Sequence, residues 1–247
     1  MTRTIDLNAD LGEGCGDDGA LIGVVTSCNV ACGGHAGDER SMAEALPLAR
    51  EAGVAAGAHP SYPDKDGFGR RSVETPLDAL ETSLNEQIDA IAGVAARLGV
   101  ELTHVKPHGA LYNDAAKDAE KAARVIAAAK RLPRAAIVGP PMSALARAAD
   151  GAALRFVAEG FADRAYEPDG SLRSRRLDGA LIEDEARRAD QALSLAQAGE
   201  AAAHGGGRVR LAVDTICLHG DSPGALSSAR AIRSRLEGAG IVVRAHS

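Results

Sequence analysis

The chain contains few aromatic residues: no Trp, three Phe and three Tyr among 247 residues. Its core must therefore be built mainly from Ala, Val, Leu and Ile, since the hydrophobic residue types together make up 45% of the sequence. This length is sufficient for one large α/β domain. Because no linker separates two halves, we expect a single domain over residues 1–247.

The sequence also lacks two common functional motifs. No G-x-x-x-x-G-K-[ST] segment occurs, so a classical P-loop does not bind ATP here if ATP is used. No H-E-x-x-H segment occurs, which removes the zincin class of metalloproteases.

Neither an excess of positive charge nor a long hydrophobic run is present. The 28 basic and 34 acidic residues are interspersed and give a net charge of -6, which argues against nucleic acid as a partner. No stretch approaches 18 uninterrupted apolar residues, and MTRTIDLNAD has no apolar signal region. We therefore expect no membrane span and a cytoplasmic enzyme. Four cysteines in that compartment predict reduced thiols rather than disulfides.

Short runs rich in Val and Ile alternate with longer Ala-rich amphipathic segments, which predicts βα units and a parallel sheet. The predicted strands are residues 4–9, 27–32, 54–58, 102–106, 135–138, 154–158, 209–213 and, with the weakest pattern, 241–244. The predicted helices are residues 38–52, 76–98, 115–131, 142–149, 183–198 and 222–237. In a parallel barrel the carboxyl ends of all strands lie on one face, where the active site forms.

Polar motifs follow most of the predicted strands. They are NADLGEG, ACGGHAGD, GAHPSYPDKDGFGRR, VKPHGALYN, EGFADRAY and DTICLHGDSPGAL. The ionisable side chains at these strand ends are Asp10, His35, His59, Lys106, His108, Glu159, Asp214 and His219. A single histidine would more often be structural. Four on one face together with acids and a lysine predict acid/base chemistry on a small, polar, anionic substrate.

Alternatives remain for each of these residues. Lys106 either forms an ion pair with a neighbouring acid, or polarises a carbonyl or holds a carboxylate. Asp10 either caps the next segment, orients a histidine or holds a metal. Arg70 and Arg71 are either solvated loop residues or a bidentate clamp for a substrate carboxylate.

With these motifs assembled, the sequence resembles the LamB/YcsF family of 5-oxoprolinase A subunits. The matching stretches are DLNADLGEG, NVACGGHAGD, GAHPSYPD with GFGRR, VKPHGALYN, EGFADRAY with DGSLRSR, and CLHGDSP. The resemblance implies a distorted (β/α)7–8 TIM-like barrel related to the polysaccharide deacetylase and glycoside hydrolase type. It also implies ATP-dependent opening of 5-oxo-L-proline to L-glutamate, with Mg-ATP and the partner subunits B and C.

Under this interpretation, residue roles can be assigned to the strand-end cluster. We expect Asp10, Glu159 or Asp214 to act as the general base, and His59 or His108 to act as the acid for the departing nitrogen. Lys106 would stabilise the developing oxyanion. The expected substrate-binding residues are Asn8, His35, Arg70, Arg71 and His219.

Two rival hypotheses remain open. One is a metal-dependent amide hydrolase or deacetylase that acts alone, with Asp10, His35 and His59 as ligands of a catalytic divalent metal. The other is a non-catalytic subunit that only binds the substrate. A thiolate metal site at Cys28 and Cys32 is disfavoured, because the other two cysteines offer no C-x-x-C spacing.

Two positions depart from the pattern of the resembling family. Cys15 and Gly34 stand where the family usually has aromatic residues. Both positions lie in predicted strand-end loops, so we expect differences in substrate fit or in loop rigidity.

Overall fold

The computed structural model describes residues 3–15, 17–218 and 224–246. The strands in these ranges are β1 (Thr4–Leu11), β2 (Ser27–Ala31), β3 (Ala55–His59), β4 (Leu102–Val105), β5 (Ala136–Gly139), β6 (Phe156–Phe161), β7 (Glu200–Ala202), β8 (Arg208–Arg210), β9 (Thr215–Leu218) and β10 (Val242–Val243). The helices are α1 (Asp18–Ile22), α2 (Glu39–Ala52), α3 (Leu77–Leu98), α4 (Gly109–Lys117), α5 (Ala119–Ala129), α6 (Ala144–Gly151), α7 (Glu185–Ala198) and α8 (Ala225–Gly238).

Seven parallel strands of the described residues close into a barrel. They run in the order β1-β2-β3-β4-β5-β6-β9, and pairing of β9 with β1 completes the circle. The short β10 pairs with the beginning of β1. The strands β7 and β8 form a separate antiparallel pair outside the barrel. The predicted TIM-like barrel is confirmed, with helices around the strands.

The helices begin and end where the sequence provides capping residues. Asp38 and Ser41 form a reciprocal capping box at the start of α2. Gly53 adopts a left-handed conformation (φ 69°) at the end of that helix, which glycine accepts without steric cost. The predicted helix over residues 115–131 is wrong in one respect. Asp118 is extended and caps the start of α5, so the chain forms two helices, α4 and α5.

The predicted seventh strand, residues 209–213, is also wrong. Part of that segment forms β8, which pairs with β7, and the barrel strand is β9. The alternating sequence RVRLAV is more typical of a strand than the four-residue TICL is. For this reason the sequence pattern predicts the seventh strand in the wrong segment. Asp214 consequently precedes the barrel strand and does not follow it, which places it at the opposite end of the barrel from the other candidates.

Alanine and the aliphatic residues build the core, as the composition predicts. Helix α5, for example, buries Ala122, Val125, Ile126, Ala128 and Ala129. In the residues that the structure describes, no helix combines the length and the apolar character needed to cross a membrane.

One glycine inside the barrel has a packing role that can be tested. A Cβ atom at Gly57 in β3 would overlap the ring of buried His104. We expect Gly57→Ala to lower the free energy of unfolding by about 1–3 kcal/mol, because overpacking displaces a fixed side chain. Urea unfolding measures this change. The matched control is Gly151→Ala, where an added Cβ has no neighbour within 4 Å. This control should lose no stability, and an equal loss in both variants would contradict the packing role.

Candidate active site

A cavity of about 690 Å³ opens at the carboxyl ends of the barrel strands. Five of the predicted catalytic residues line it: Asp10, His59, Lys106, His108 and Glu159. They come from β1, β3, β6 and the segment that follows β4. The structure thus brings together the side chains that the strand-end motifs predicted, because parallel strands deliver their last residues to one face.

Lys106 lies at the centre of this group. Its Nζ is 3.0 Å from Asp10 Oδ1, 2.9 Å from Glu159 Oε1 and 3.3 Å from Asn8 Oδ1. It also donates to the sulfur of Cys217 at 3.0 Å. The lysine side chain is only 3% exposed, so the ion pair that the sequence offered as one alternative for Lys106 is present and buried.

The charges around Lys106 determine its protonation state. Burial alone would lower the pKa of this amine, but the neighbouring carboxylates of Asp10 and Glu159 outweigh burial and raise the pKa well above its usual value. Lys106 is therefore a fixed ammonium ion at neutral pH. Such a group can stabilise negative charge that develops on a bound oxygen.

A network of amides holds the two acids in place. Asn8 donates to Glu159 Oε1 at 3.0 Å and to the hydroxyl of Thr215 at 2.7 Å. Asn29 donates to Asp10 Oδ1 and to Asn8 Oδ1, each at 2.8 Å. The Asn29 oxygen is 2.8 Å from His104 Nε2. Asn8 was predicted to bind substrate, but its side chain is buried in this network and does not line the cavity.

Two buried polar atoms of the cavity have no hydrogen-bond partner among the described residues. They are Glu159 Oε2 and the hydroxyl of Tyr112. Burial, and then the nearby Glu159 carboxylate, raise the pKa of Tyr112 well above its usual value, so its phenol keeps its proton. The Tyr112 hydroxyl and the Glu159 carboxylate are close enough to interact with each other, and a polar ligand in the cavity can compete for either group.

Three histidine rings form a second cluster beside Asp10. His59 Nε2 is 2.9 Å from His108 Nδ1 and 3.3 Å from Asp10 Oδ2. His35 stacks on His108 with ring centroids 3.6 Å apart, and its Nε2 is 2.9 Å from Glu13 Oε1. That Glu13 oxygen is 3.4 Å from His108 Nδ1.

The hydrogen bonds at the far sides of two rings determine their tautomers. His59 Nδ1 is 2.7 Å from the carbonyl oxygen of Lys106, and His108 Nε2 is 3.0 Å from that of Phe68. A carbonyl only accepts, so these two nitrogens carry the protons. The remaining lone pairs, on His59 Nε2 and His108 Nδ1, then face each other. In their neutral forms neither ring has a proton to give to a ligand in the cavity.

Burial keeps two of these rings neutral. It lowers the pKa of His35, although the hydrogen bond to Glu13 acts in the opposite direction. It also lowers the pKa of His108 well below its usual value, and the neighbouring rings of His59 and His35 add to this effect.

The two adjacent arginines of the GFGRR motif have different surroundings. Arg70 lines the cavity, with its guanidinium 4.9 Å from the centre of the Phe68 ring. Arg71 instead pairs with Asp64 in its own loop, and its side chain is 58% exposed. Of the proposed carboxylate clamp, only Arg70 is placed to contact a ligand.

Two other candidates lie elsewhere. Asp214 is exposed and accepts a hydrogen bond from the backbone of Ala158 at 2.9 Å, at the amino end of the barrel. Its prediction as a general base depended on the wrong seventh strand, and this position removes it from the site. His219, predicted to bind substrate, lies outside the described residues.

Sequence reasoning missed several residues of the site, namely Glu13, Asn29, Tyr112 and Cys217. Glu13 and Tyr112 belong to the motifs NADLGEG and VKPHGALYN, and their polarity beside the other candidates was the available signal. Asn29 and Cys217 lie inside strands, where the sequence does not show which side chains point into the barrel.

All four cysteines are free thiols. Burial raises the pKa of Cys28 and of Cys32 to about 12, and it raises that of Cys217 well above its usual value. These three cysteines therefore remain protonated at neutral pH, and no thiolate is available from them.

The chain is similar to known proteins over nearly its whole length. The LamB/YcsF family model matches residues 5–247. The chain belongs to the LamB/YcsF family. One relative, the A subunit of 5-oxoprolinase from Methylococcus capsulatus, is 49% identical over 251 residues, which cover 99% of this chain and 96% of the relative. A lactam utilization protein from Thermus thermophilus superimposes with a TM-score of 0.91 at 39% identity, over 98% of this chain and 100% of that structure.

Solved structures of proteins with less similar sequences show a similar barrel fold. A GH113 β-1,4-mannanase has a TM-score of 0.54 at 13% identity, over 96% of this chain and 99% of that one. A T48 deacetylase has a TM-score of 0.50 at 16% identity, over 98% and 87%. These likenesses concern the fold alone, and they confirm the predicted similarity in fold to deacetylase and glycoside hydrolase barrels.

The glycine that departs from the expected family pattern has a tight environment. A Cβ atom at Gly34 would overlap the side chains of Gln87 and Ser61. Gln87 is itself fixed, because it accepts from the Ser61 backbone and donates to the Ser61 carbonyl, each at 2.9 Å. An aromatic residue at position 34 would therefore require this part of the loop to rearrange.

Proposed function

We propose that this chain opens the lactam ring of 5-oxo-L-proline to give L-glutamate, as the A subunit of an ATP-dependent 5-oxoprolinase. The observation that carries the proposal is the buried Lys106 ammonium between two carboxylates at the floor of the cavity. The names of the relatives support the substrate class, since they are 5-oxoprolinase A subunits.

The overall reaction adds one water across the amide bond of the ring. The water oxygen bonds to the carbonyl carbon, the carbon–nitrogen bond breaks, and the nitrogen gains a proton. A five-membered lactam is unstrained and a poor electrophile. Transfer of the terminal phosphoryl group of ATP to the lactam oxygen, with release of ADP and of the N–H proton, would create an activated imidate phosphate. One water would then add to its carbon as the carbon–nitrogen bond breaks, which leaves an acyl phosphate and a free amine, and a second water would release the phosphate.

The cavity offers complementary groups for such a substrate. Lys106 is positioned to stabilise negative charge on the lactam oxygen, and the Tyr112 hydroxyl can donate to the same region. Glu159 Oε2 can accept from the lactam N–H or from a water molecule. Because the protons of His59 and His108 are directed to backbone carbonyls, Lys106 and Tyr112 are better placed than these rings to donate toward the ligand.

The walls of the cavity suit an anion. Besides Lys106, the Lys and Arg residues that line it are Arg70, Lys117, Arg164, Arg173, Arg175 and Arg176. Burial lowers the pKa of Arg164 only to about 10, so this side chain stays charged. These charges would attract the carboxylate of 5-oxoproline or a phosphorylated form of it.

The requirement for ATP, Mg²⁺ and the subunits B and C is part of the proposal. The sequence has no P-loop, which fits a division of labour in which nucleotide chemistry needs the partners.

The contrast between the two arginines gives a specific prediction. We expect Arg70→Ala to raise the KM for 5-oxoproline at least about tenfold, because a charged hydrogen bond contributes about 1.5–3 kcal/mol. Arg71→Ala is the matched control and should leave KM within about twofold, since Arg71 is bound to Asp64. Steady-state kinetics of the assembled enzyme measures both values. Equal KM values for Arg70→Ala and the unmodified chain would refute the carboxylate contact.

The histidine cluster favours one second candidate, a metal-dependent amide hydrolase that acts without partners. Incubation of this chain alone with 5-oxoproline and Zn²⁺, without ATP, distinguishes the two. Our proposal predicts no glutamate from this mixture. It predicts glutamate and phosphate in roughly equal amounts once subunits B and C and Mg-ATP are added, and glutamate from the chain alone would favour the second candidate.

A further inference from the structure

Three histidines and one glutamate converge at a point that the proposed ring opening leaves unused. The ligand atoms of Glu13, His35, His59 and His108 all lie within 4.8 Å of one another. Their side chains are between 0% and 5% exposed, so the cluster is shielded from bulk water.

The tautomers of the two central rings call for a positive charge between them. The unprotonated nitrogens His59 Nε2 and His108 Nδ1 face each other at 2.9 Å, where two lone pairs repel. The Glu13 carboxylate oxygen is 3.4 Å from the same His108 nitrogen. A proton can bridge only two of these groups, whereas a metal ion accepts electron pairs from all four.

The far sides of the His59 and His108 rings have the arrangement that fixes histidine ligands, whereas the far nitrogen of His35 has no partner among the described residues. In metal sites, the nitrogen that does not bind the ion usually donates to a carboxylate or a backbone carbonyl, which orients the ring. His59 Nδ1 donates to the Lys106 carbonyl and His108 Nε2 to the Phe68 carbonyl. The free lone pairs of both rings are therefore already directed to the centre of the cluster.

The balance of charge points to a cation as well. In the described part of the chain, the side chains in direct contact here include three buried carboxylates, from Asp10, Glu13 and Glu159, and one ammonium, from Lys106. Buried carboxylates are costly without counter-charges. A divalent ion bound here would place further positive charge beside these carboxylates.

We propose that Glu13, His35, His59 and His108 bind one divalent transition-metal ion of the zinc type. Imidazole nitrogens with a carboxylate oxygen are a preferred donor set of such ions. The set differs from the expected ligands Asp10, His35 and His59. Asp10 Oδ1 is engaged by Lys106 and Asn29, and Asp10 is not among the residues whose ligand atoms all lie within 4.8 Å of one another.

This inference deepens the proposed function, because the cluster adjoins the cavity that would hold the lactam, but its test does not depend on that function. An ion of this class acts as a Lewis acid at neutral pH.

The test measures metal binding by the full chain with any affinity tag removed. After treatment with EDTA, the chain is loaded with Zn²⁺ or Co²⁺, desalted and subjected to elemental analysis. We expect about one ion per chain, a rise in melting temperature with Zn²⁺, and visible ligand-field absorption with Co²⁺. No substrate, ATP or partner is present, so this result and glutamate formation can fail independently.

Two variants assign the site. His108→Gln removes a central ligand, and Glu13→Gln replaces the carboxylate by a group of the same shape at the edge of the cluster. Each should weaken Zn²⁺ binding at least about a hundredfold, since even changes to residues that support metal ligands cost ten- to a hundredfold. The matched control His204→Gln, at an exposed loop position, should bind as the unmodified chain does.

Circular dichroism checks that the variants are folded. If a variant does not fold, metal retention by the unmodified chain still tests whether the site exists. Failure of the unmodified chain to retain either ion after desalting would overturn the proposal. Unchanged affinity in both folded variants would overturn it as well.

Discussion

Replacement of Lys106 by methionine should reduce glutamate formation by the assembled enzyme by at least about 10²–10³-fold. The expected magnitude is that of removing one group that stabilises an oxyanion in a buried site. Methionine keeps most of the volume of the side chain but removes the ammonium that lies 2.9–3.0 Å from Glu159 and Asp10. Glutamate release with saturating Mg-ATP measures the effect.

The control for this variant is Lys130→Met, at an exposed position at the end of α5. It should retain full activity. The chain with Lys106→Met is expected to be less stable by about 3–5 kcal/mol, because it leaves buried carboxylates without their counter-charge. Circular dichroism therefore accompanies the assay. A folded Lys106→Met chain with full activity would remove Lys106 from the mechanism.

Replacement of Glu159 by glutamine should cause the second largest loss, about 10²–10⁴-fold in kcat if Glu159 serves as the general base. The change keeps the shape of the side chain and removes its charge. Glu159 Oε2 would then be part of an amide, and an amide cannot take a proton from water as a carboxylate can. Glu183→Gln, at an exposed position, is the control and should be fully active.

The two changes should also be coupled in stability. The buried pair of Lys106 and Glu159 is 2.9 Å apart, so removal of one member leaves the other without its partner. We expect the double variant Lys106→Met with Glu159→Gln to be destabilised by less than the sum of the single variants, by at least about 1 kcal/mol. Urea unfolding of all four chains measures this coupling. Additive losses would contradict the ion pair as the source of instability.

The strand-end motifs predicted the centre of the site because the geometry of a parallel barrel is simple. Every strand points its carboxyl end to the same face, so Asp10, His59, Lys106 and Glu159 had to converge once their strands were recognised. The same reasoning failed for Asp214. The strand TICL is too short and too uniformly apolar to be distinguished from the alternating segment before it.

The finer details of the site depend on side-chain directions that no sequence pattern encodes. Asn29 and Cys217 lie inside strands, and only the twist and register of the barrel show that they contact Asp10 and Lys106. The pairing of Glu13 with His35 requires two loops to meet across 22 residues of sequence. Arg70 and Arg71 are equivalent in the sequence, and only the fold of their loop separates their surroundings.

The most direct test of the central claim is glutamate formation from 5-oxoproline with Mg-ATP and subunits B and C, in three parallel mixtures. One mixture lacks this chain, one contains it, and one contains the Lys106→Met variant. We predict glutamate only in the mixture with the unmodified chain. Glutamate formed at the same rate in all three mixtures would show that the cavity around Lys106 does not open the lactam ring.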